Sequence, residues 1–361
     1  MTDARGIVRL GLIGCGRAVL THHAPALRRV PQIRVTAVAD VDAGRLQEVA
    51  EYLGVPERYA SADGLLAGAR VDAVAVMTPT RTHAEIGGAV LRSGRHLFVE
   101  KPLAHDVAAC GRLESAMLGA PGRALVGHNA RWHRLVEDAR AFITRGQLGP
   151  VKAIRSAYTH WHPDSSGRDW HRYRSEGGGV LINDGVHHFD LWRHLLGDEV
   201  VEVGARSRSS STYEDDTCVV EAQLAGGALA SAVLSFSSAP SSDIDIYGEL
   251  GRLSLSLYRF DGLRFLPHST YDGSPGWRVR QAAHSLGGVA RMIATAGRGG
   301  EFDRTYAAMW RHFAECALGR ATPACTLADG RAALDIALAA VESAACGRPV
   351  AVRPAREQAS R

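Results

Sequence analysis

Residues 7–16 read Ile7-Val8-Arg9-Leu10-Gly11-Leu12-Ile13-Gly14-Cys15-Gly16. A nearly continuous apolar run ends in a Gly-x-Gly turn and leads into a helical segment. Glycines at such a turn let the backbone bend sharply and approach a pyrophosphate, which the following helix N-terminus attracts. Alone, Gly14 and Gly16 are equally compatible with a simple turn, and the third glycine of the full dinucleotide fingerprint is replaced by Val19. The surroundings favour the nucleotide. Working outward, the runs Arg34–Ala39, Val71–Met77, His96–Val99 and Ala124–Val126 repeat the pattern of the first, rich in Val, Leu and Ile and bounded by Gly, Asp or Pro. Strands buried on both faces of a parallel sheet have this character. Helical candidates Asp42–Leu53 and Thr82–Ser93 alternate with them, the second placing Ile86, Ala89 and Val90 on one face. The alternation predicts a doubly wound α/β domain.

Asp40 ends the second strand. A carboxylate there accepts hydrogen bonds from ribose hydroxyls and repels a 2′-phosphate, so NAD is favoured over NADP, with NADP use still open. The plainer role for Asp40 is to cap the helix that begins near Asp42.

Beyond residue 150 the pattern changes. Val151–Tyr158, Val200–Ala205, Cys218–Leu224, Ala230–Ser237, Ile244–Gly248 and Arg252–Arg259 are short and partly alternating, as in Leu253-Ser254-Leu255-Ser256-Leu257. Period two predicts a largely antiparallel sheet with one face available to a partner. A helix is expected over Val180–Leu196 and another over Leu327–Cys346. Residues 267–304 are Gly-rich and receive no role.

The chain has 361 residues, 46% hydrophobic and 22% charged, with a net charge of +4. This is globular composition, and at roughly 100–200 residues per domain it predicts two domains. No basic run points to nucleic acid, and no apolar stretch is long enough for a transmembrane helix. Six scattered cysteines without a C-x-x-C pair, and no signal-peptide pattern at the start, predict a cytoplasmic protein. Of 42 basic residues only Lys101 and Lys152 are lysine.

Lys101 lies in Glu100-Lys101-Pro102, at the carboxyl end of a parallel strand, where open α/β sheets bind ligands. An ammonium there can donate a hydrogen bond or a proton to a substrate oxygen, which arginine does not deprotonate to do. A surface Lys paired with Glu100 is the alternative. The segment Gly177–Asp190 carries three glycines and then Asn183, Asp184, His187 and His188. On a continuous helix Asn183 and His187 share one face, and Asp184 and His188 another. The residues alone do not choose between these pairs. His160, His162 and His171 lack zinc-ligand spacing, so no metal is expected. Trp161 and Trp170, with Arg168 and Arg172, suit either the lining of a sugar pocket or a packed strand end.

Taken together, these residues resemble the Gfo/Idh/MocA oxidoreductases. The resemblance rests on LGLIGCGR (10–17), VADVD (38–42), VMTPTRTHAEI (76–86), LFVEKPLA (97–104), GHNARW (127–132), RGQLGPV (145–151), the 168–198 segment and DGRAALDIALAAVESAACGRPVAV (329–352). It implies a Rossmann domain over 1–128 and a substrate-binding and oligomerisation domain over 129–352. The helix 327–346 is expected to pack back on the first domain, and 353–361 to form a flexible tail. It also implies a homodimer or homotetramer. Carried onto this chain, Lys101 and His187 become the catalytic residues. Gly14, Gly16, Arg17, Ala18, Asp40, Thr78, Pro79, His83, Glu100 and Lys101 fall in the cofactor-binding segments. Asn129, Arg131, Trp161, Trp170, Asn183, Lys101 and His187 fall near the substrate. Family members often carry Asp where this chain has Asn183, and Asn cannot take a proton or supply charge. Asp184 is next in sequence but displaced by about 100° around a helix.

The resemblance implies an NAD(P)-dependent oxidoreductase acting on a secondary alcohol or ketone of a sugar, cyclitol or nucleotide-linked sugar. Two alternatives stand beside it: a redox-neutral glycoside-cleaving or epimerising enzyme with tightly bound NAD, and a non-catalytic sugar-binding regulator.

Overall fold

The computed structural model describes residues 6–162, 169–258, 262–296 and 300–352. Arg168, Arg259 and the tail 353–361 lie outside them. The chain forms two compact units, one of residues 1–129 and 303–334, the other of residues 130–302 and 335–361.

The first unit holds strands β1 (Val8–Ile13), β2 (Ile33–Ala39), β3 (Glu57–Tyr59), β4 (Ala73–Val76), β5 (His96–Val99) and β6 (Ala124–Val126). They pair in the order β3-β2-β1-β4-β5-β6, every pair parallel. Helices α1 (Ala24–Leu27), α2 (Ala43–Leu53), α3 (Ala62–Gly68), α4 (His83–Arg92) and α5 (Val107–Met117) connect them. Val8, Leu10, Leu12, Val38, Val74, Leu97, Phe98 and Val99 are completely buried, as strands covered on both faces must be. Asp42 caps α2, accepting from the Arg45 N–H at 3.0 Å, and Gly54 ends it in the left-handed conformation at φ +66°. The order reverses between β1 and β4, and at such a switch point ligands bind beyond the carboxyl ends of the strands.

Two local features differ from expectation. The short polar strand β3 has no apolar run to reveal it, because it lies at the sheet edge. After the glycine turn the chain winds first as a π-helical segment, Val19–His23, with Val19 fully buried. Such wide turns are rare and often mark functional sites.

The second unit begins with α6 (Arg134–Thr144) and β7 (Val151–Trp161), followed by helices α7 (Gly179–Asn183) and α8 (Gly185–Leu196). Strands β8 (Val200–Arg208), β9 (Thr217–Leu224), β10 (Leu229–Ser235), β11 (Ser237–Gly248), β12 (Gly251–Ser256) and β13 (Arg264–Pro267) come next. Helix α9 (Pro275–Ala296) follows them. Helix α10 (Gly300–Ala317) crosses the boundary at residue 303, and α11 (Leu327–Cys346) crosses it at residue 335 before β14 (Val350–Ala351) closes the chain. The eight strands pair in the order β13-β12-β11-β7-β10-β9-β8-β14. Among the described residues of this sheet only β7 and β10 run parallel, so the sheet is mixed and mostly antiparallel. In β9, Cys218, Val220, Ala222 and Leu224 are buried while Val219, Glu221 and Gln223 are exposed, the period-two signature of a half-covered sheet. Trp192 docks α8 onto the covered face, its indole N–H donating to Ser156 Oγ on β7 at 2.7 Å.

The single helix expected over Val180–Leu196 is instead two, joined at Asp184. A Cβ on Gly185 would approach the Phe189 ring to 2.9 Å and Leu234 to 3.1 Å. The second helix starts where only glycine fits against β10. Asn183 and His187 lie on either side of this joint, where Asp184 keeps right-handed helical angles at φ −112° and ψ −34°.

Candidate active site

In the first unit the expected cofactor residues all lie at the carboxyl ends of strands. Gly14 follows β1 at φ +96°, and a Cβ there would stand 2.5 Å from the Met77 carbonyl oxygen; only glycine permits that crossing of β1 and β4. At Gly16 a Cβ would meet nothing within 4 Å, so packing does not require this glycine. Open space beside a helix start suits a pyrophosphate, and Arg17 and Ala18 are exposed in the same turn. Cys15, between the glycines, is buried, and burial with the nearby Asp40 charge pushes its thiol up to about 12. It stays protonated and is no nucleophile.

Asp40 does not cap α2. Its carboxylate accepts from the Cys15 N–H at 2.6 Å and from the Asp42 N–H at 2.8 Å. These bonds fix it beside the glycine turn, and a carboxylate has further lone pairs for ribose hydroxyls. The residues present thus fit an NAD.

Thr78 and Pro79 follow β4. His83, 1% exposed, ties this segment to the one after β5: its Nε2 lies 2.8 Å from the Thr78 carbonyl oxygen and its Nδ1 2.9 Å from that of Pro102. Burial pushes its imidazole below the ordinary value despite the carbonyls and Glu100. His83 is a brace between two loops.

Glu100 is turned inward. Its Oε1 lies 3.1 Å from His23 Nε2 and its Oε2 accepts from the Lys101 N–H at 3.1 Å. Burial alone would raise its carboxyl; hydrogen bonding to His23 and the charges of His23 and Lys101 outweigh it, and the net shift is downward. A Cβ on Gly127 would come within 2.6 Å of this carboxylate, so that glycine makes room for it. His23 is packed edge-on against Phe98, Tyr306 and Trp310. Lys101, half-buried, therefore stands on a backbone held by a fixed anion. The contact with His23, 77 residues away in sequence, was invisible to local pattern.

In the second unit Gly178 and Gly179 have identifiable tasks. A Cβ on Gly178 would fall 2.4 Å from the Trp170 carbonyl oxygen, and Gly179, at φ +77°, packs on Asp215. The Arg174 guanidinium holds Asp215 with two hydrogen bonds of 2.6 Å. His188 is 1% exposed, and burial pushes its imidazole down to about 4 against the opposing Asp184 charge. His187 is only half-buried. Of the two histidines left open by sequence, His187 is the one able to meet a substrate.

His188 also sets a pH dependence. Its folded value is depressed, so the neutral form stabilises the fold above the unfolded pKa near 6.5, and that contribution is lost as pH falls towards about 4. A shift of this size corresponds to about 3 kcal/mol. Melting temperatures of wild type and His188→Gln measured between neutral and mildly acidic pH test this; the wild-type curve is expected to fall more steeply. Parallel curves would exclude the effect.

Arg131, expected near the substrate, has its guanidinium engaged by Asp190 of α8 through bonds of 2.8 and 2.6 Å. Asn129 is buried at the start of the same short 3-10 turn. Trp161 is exposed at the end of β7, whereas Trp170 packs edge-on against His171. Sequence reading weighed His160 only as a metal ligand; its Nε2 lies 3.1 Å from Asp184 Oδ2, a contact that local pattern does not show. Among the described residues no group of three His, Cys, Asp or Glu could hold a metal, and no helix is long and apolar enough to cross a membrane.

Comparison with known proteins covers both units. Residues 8–128 match the model "Oxidoreductase family, NAD-binding Rossmann fold" and residues 136–254 the model "GFO/IDH/MocA C-terminal domain". Myo-inositol 2-dehydrogenase of Thermotoga maritima is 30% identical over 254 residues, covering 68% of this chain and 74% of the relative. Scyllo-inositol 2-dehydrogenase (NAD(+)) of Bacillus subtilis is 25% identical over 353 residues, covering 95% and 96%. Among solved structures, the WlbA dehydrogenase of Bordetella pertussis in complex with NADH and UDP-GlcNAcA superposes with a TM-score of 0.81 at 21% identity, covering 98% of this chain and 99% of that one. The glycine turn and acidic strand end thus belong to a sheet matched as NAD-binding, and the segment bearing His187 to a matched C-terminal domain. The chain is an NAD-binding oxidoreductase of the Gfo/Idh/MocA family.

Proposed function

We propose that this chain oxidises a secondary alcohol of a cyclitol, sugar or nucleotide-linked sugar to the ketone, or reduces the matching ketone, using NAD in preference to NADP. The observation that carries the reading is Lys101 at the carboxyl end of β5, its backbone anchored by the ionised Glu100, in the same sheet as the Gly14 turn and Asp40. Bound nicotinamide supplies a two-electron hydride acceptor or donor. Lys101 donates a hydrogen bond to the reacting oxygen and favours its negative charge in the transition state. His187 takes the hydroxyl proton in oxidation and returns it in reduction. The carbinol C–H bond gives up its electron pair with the hydride, the O–H bond gives up its proton, and a C=O bond forms. Asp40 accepts from the ribose and repels a 2′-phosphate. Asn129, Asn183, Trp161 and Trp170 line the polyol, while Arg131 acts through Asp190.

The names of the inositol dehydrogenase relatives favour a cyclitol. The test is a spectrophotometric screen of cyclitols, aldoses and nucleotide sugars with NAD and NADP, accompanied by thermal shift with each cofactor. NADH formation with at least one polyol and a larger shift with NAD are expected; stabilisation by neither cofactor would overturn the reading. We place the reaction in the cytoplasm, in keeping with six scattered cysteines that form no C-x-x-C pair. Val219, Leu229 and Val233 lie exposed on strands β9 and β10, and we expect a second copy to cover them. A monomeric mass by sedimentation would exclude that.

A further inference from the structure

Asp184 stands at the joint between α7 and α8 and is 5% exposed. Its two carboxylate oxygens have different partners. Oδ1 accepts from Asn183 Nδ2 at 2.7 Å, and Oδ2 lies 3.1 Å from His160 Nε2 on β7. Its carbonyl oxygen accepts from the His187 N–H at 3.0 Å. One residue thus connects His160, Asn183 and His187. His160 itself is stacked on Phe236 with ring centroids 5.3 Å apart and meets Tyr158 edge-on at 5.3 Å. Tyr158 also neighbours His187, at 6.4 Å.

We propose that Asp184 is a positioning residue for the reaction: its carboxylate fixes the Asn183 amide and, paired with His160, supplies the fixed negative charge beside His187. The inference rests on the function proposed above. The bond from Nδ2 to Asp184 fixes how the Asn183 amide is turned. A consequence for charge follows. Asn183 cannot stabilise an imidazolium, but the carboxylate of Asp184, a buried residue whose backbone carbonyl already holds the His187 N–H, favours the protonated ring that oxidation creates.

The other groups around this pair are Tyr158 and His162 on β7, His187 and His188 on α8, Tyr258 beyond β12 and Asp243 on β11. Burial keeps His188 neutral down to about pH 4 and raises the Tyr258 phenol, which is hydrogen-bonded to Tyr158. Neither adds charge near neutral pH. The carboxylates are Asp184 and Asp243, and Asp184 holds the Asn183 amide.

The experiment compares Asp184→Asn, Asn183→Asp and the exchanged double variant. Asp184→Asn keeps the shape and removes the charge; kcat is expected to fall about tenfold or more, with the acid limb of the kcat/KM profile moved down by about one pH unit. The KM for NAD is expected to stay unchanged. Asn183→Asp alone sets two carboxylates within hydrogen-bond distance and is expected to lose activity at neutral pH. The exchanged variant again holds one carboxylate and one amide, and is expected to exceed both single variants. A pH profile of Asp184→Asn that superposes on wild type would overturn the proposal, even with a lowered melting temperature, since that is all a packing role predicts. Should Asp184→Asn not fold, Asp184→Ser, which also removes the carboxylate, is expected to move the acid limb in the same direction, and an unmoved limb would overturn the proposal equally. A readout free of turnover is the NMR titration of the His187 ring without substrate, assigned with His187→Gln. Its midpoint is expected to fall in the Asp184→Asn or Asp184→Ser protein, and an unchanged midpoint overturns the proposal. Absence of turnover in the wild type would defeat the proposed reaction instead, and the ring titration would still decide the part played by Asp184.

Discussion

Lys101→Met is expected to abolish turnover while leaving NAD binding intact. Methionine matches the length and flexibility of the lysine stem but carries no donor, so the reacting oxygen loses its partner in the transition state. Removing one preorganised donor aimed at a developing charge costs about 10²–10³-fold in rate. The cofactor residues do not depend on that ammonium. Gly14 is positioned by its close crossing over Met77 and Asp40 by two backbone N–H groups, so the thermal shift with NAD should match wild type. Lys101→Arg restores a charge, but its planar fork does not reproduce the position of a compact ammonium; little rescue is expected. Steady-state kinetics and thermal shift on the two variants check this. Turnover by Lys101→Met comparable to wild type would remove Lys101 from the mechanism.

The second large effect is on stability. Arg131→Met is expected to destabilise the second unit by about 3–5 kcal/mol, because it strands the Asp190 carboxylate. Asp190 is 1% and Arg131 7% exposed, and both oxygens of Asp190 face the guanidinium. At about 2–4 °C per kcal/mol for a unit of this size, the melting temperature falls by roughly 10 °C. Arg131→Lys recovers part of this, since an ammonium cannot span both oxygens. A double variant with methionine at 131 and leucine at 190 is expected to be more stable than Arg131→Met alone, because no buried charge is left unpaired. Calorimetry on the three proteins decides it. A single variant that melts like wild type would mean that water or another group can solvate Asp190 where the structure buries it.

The architecture was legible wherever burial is written locally. Ile7–Ile13 and the runs after it are apolar because both faces of the first sheet are covered, and alternation in the second unit records one covered face. Lys101 was legible because a strand end and a scarce residue type coincide in Glu100-Lys101-Pro102. What stayed hidden depends on residues brought together by topology. Glu100 meets His23 through strand order, and Asp184 meets His160 only because α8 docks on β7 through Trp192 and Ser156. The break at Asp184 was hidden for another reason. The apolar periodicity runs on through Asn183-Asp184-Gly185 and masks these weak helix formers, and the close approach of Leu234 on β10 to Gly185 is visible only in the fold. Between His187 and His188 the residues alone did not choose and the resemblance pointed to His187; the difference in burial, with His188 1% exposed and His187 half-buried, is a property of the fold.

The central claim is direct hydride transfer from a carbinol carbon to the nicotinamide. The measurement that tests it most directly uses the best substrate from the polyol screen, deuterated at the carbon that becomes the ketone, with mass spectrometric and NMR analysis of the recovered cofactor. The account predicts deuterium at C4 of the reduced nicotinamide and a slowed rate of NADH formation. Deuterium released to solvent, with none in the cofactor, would contradict it.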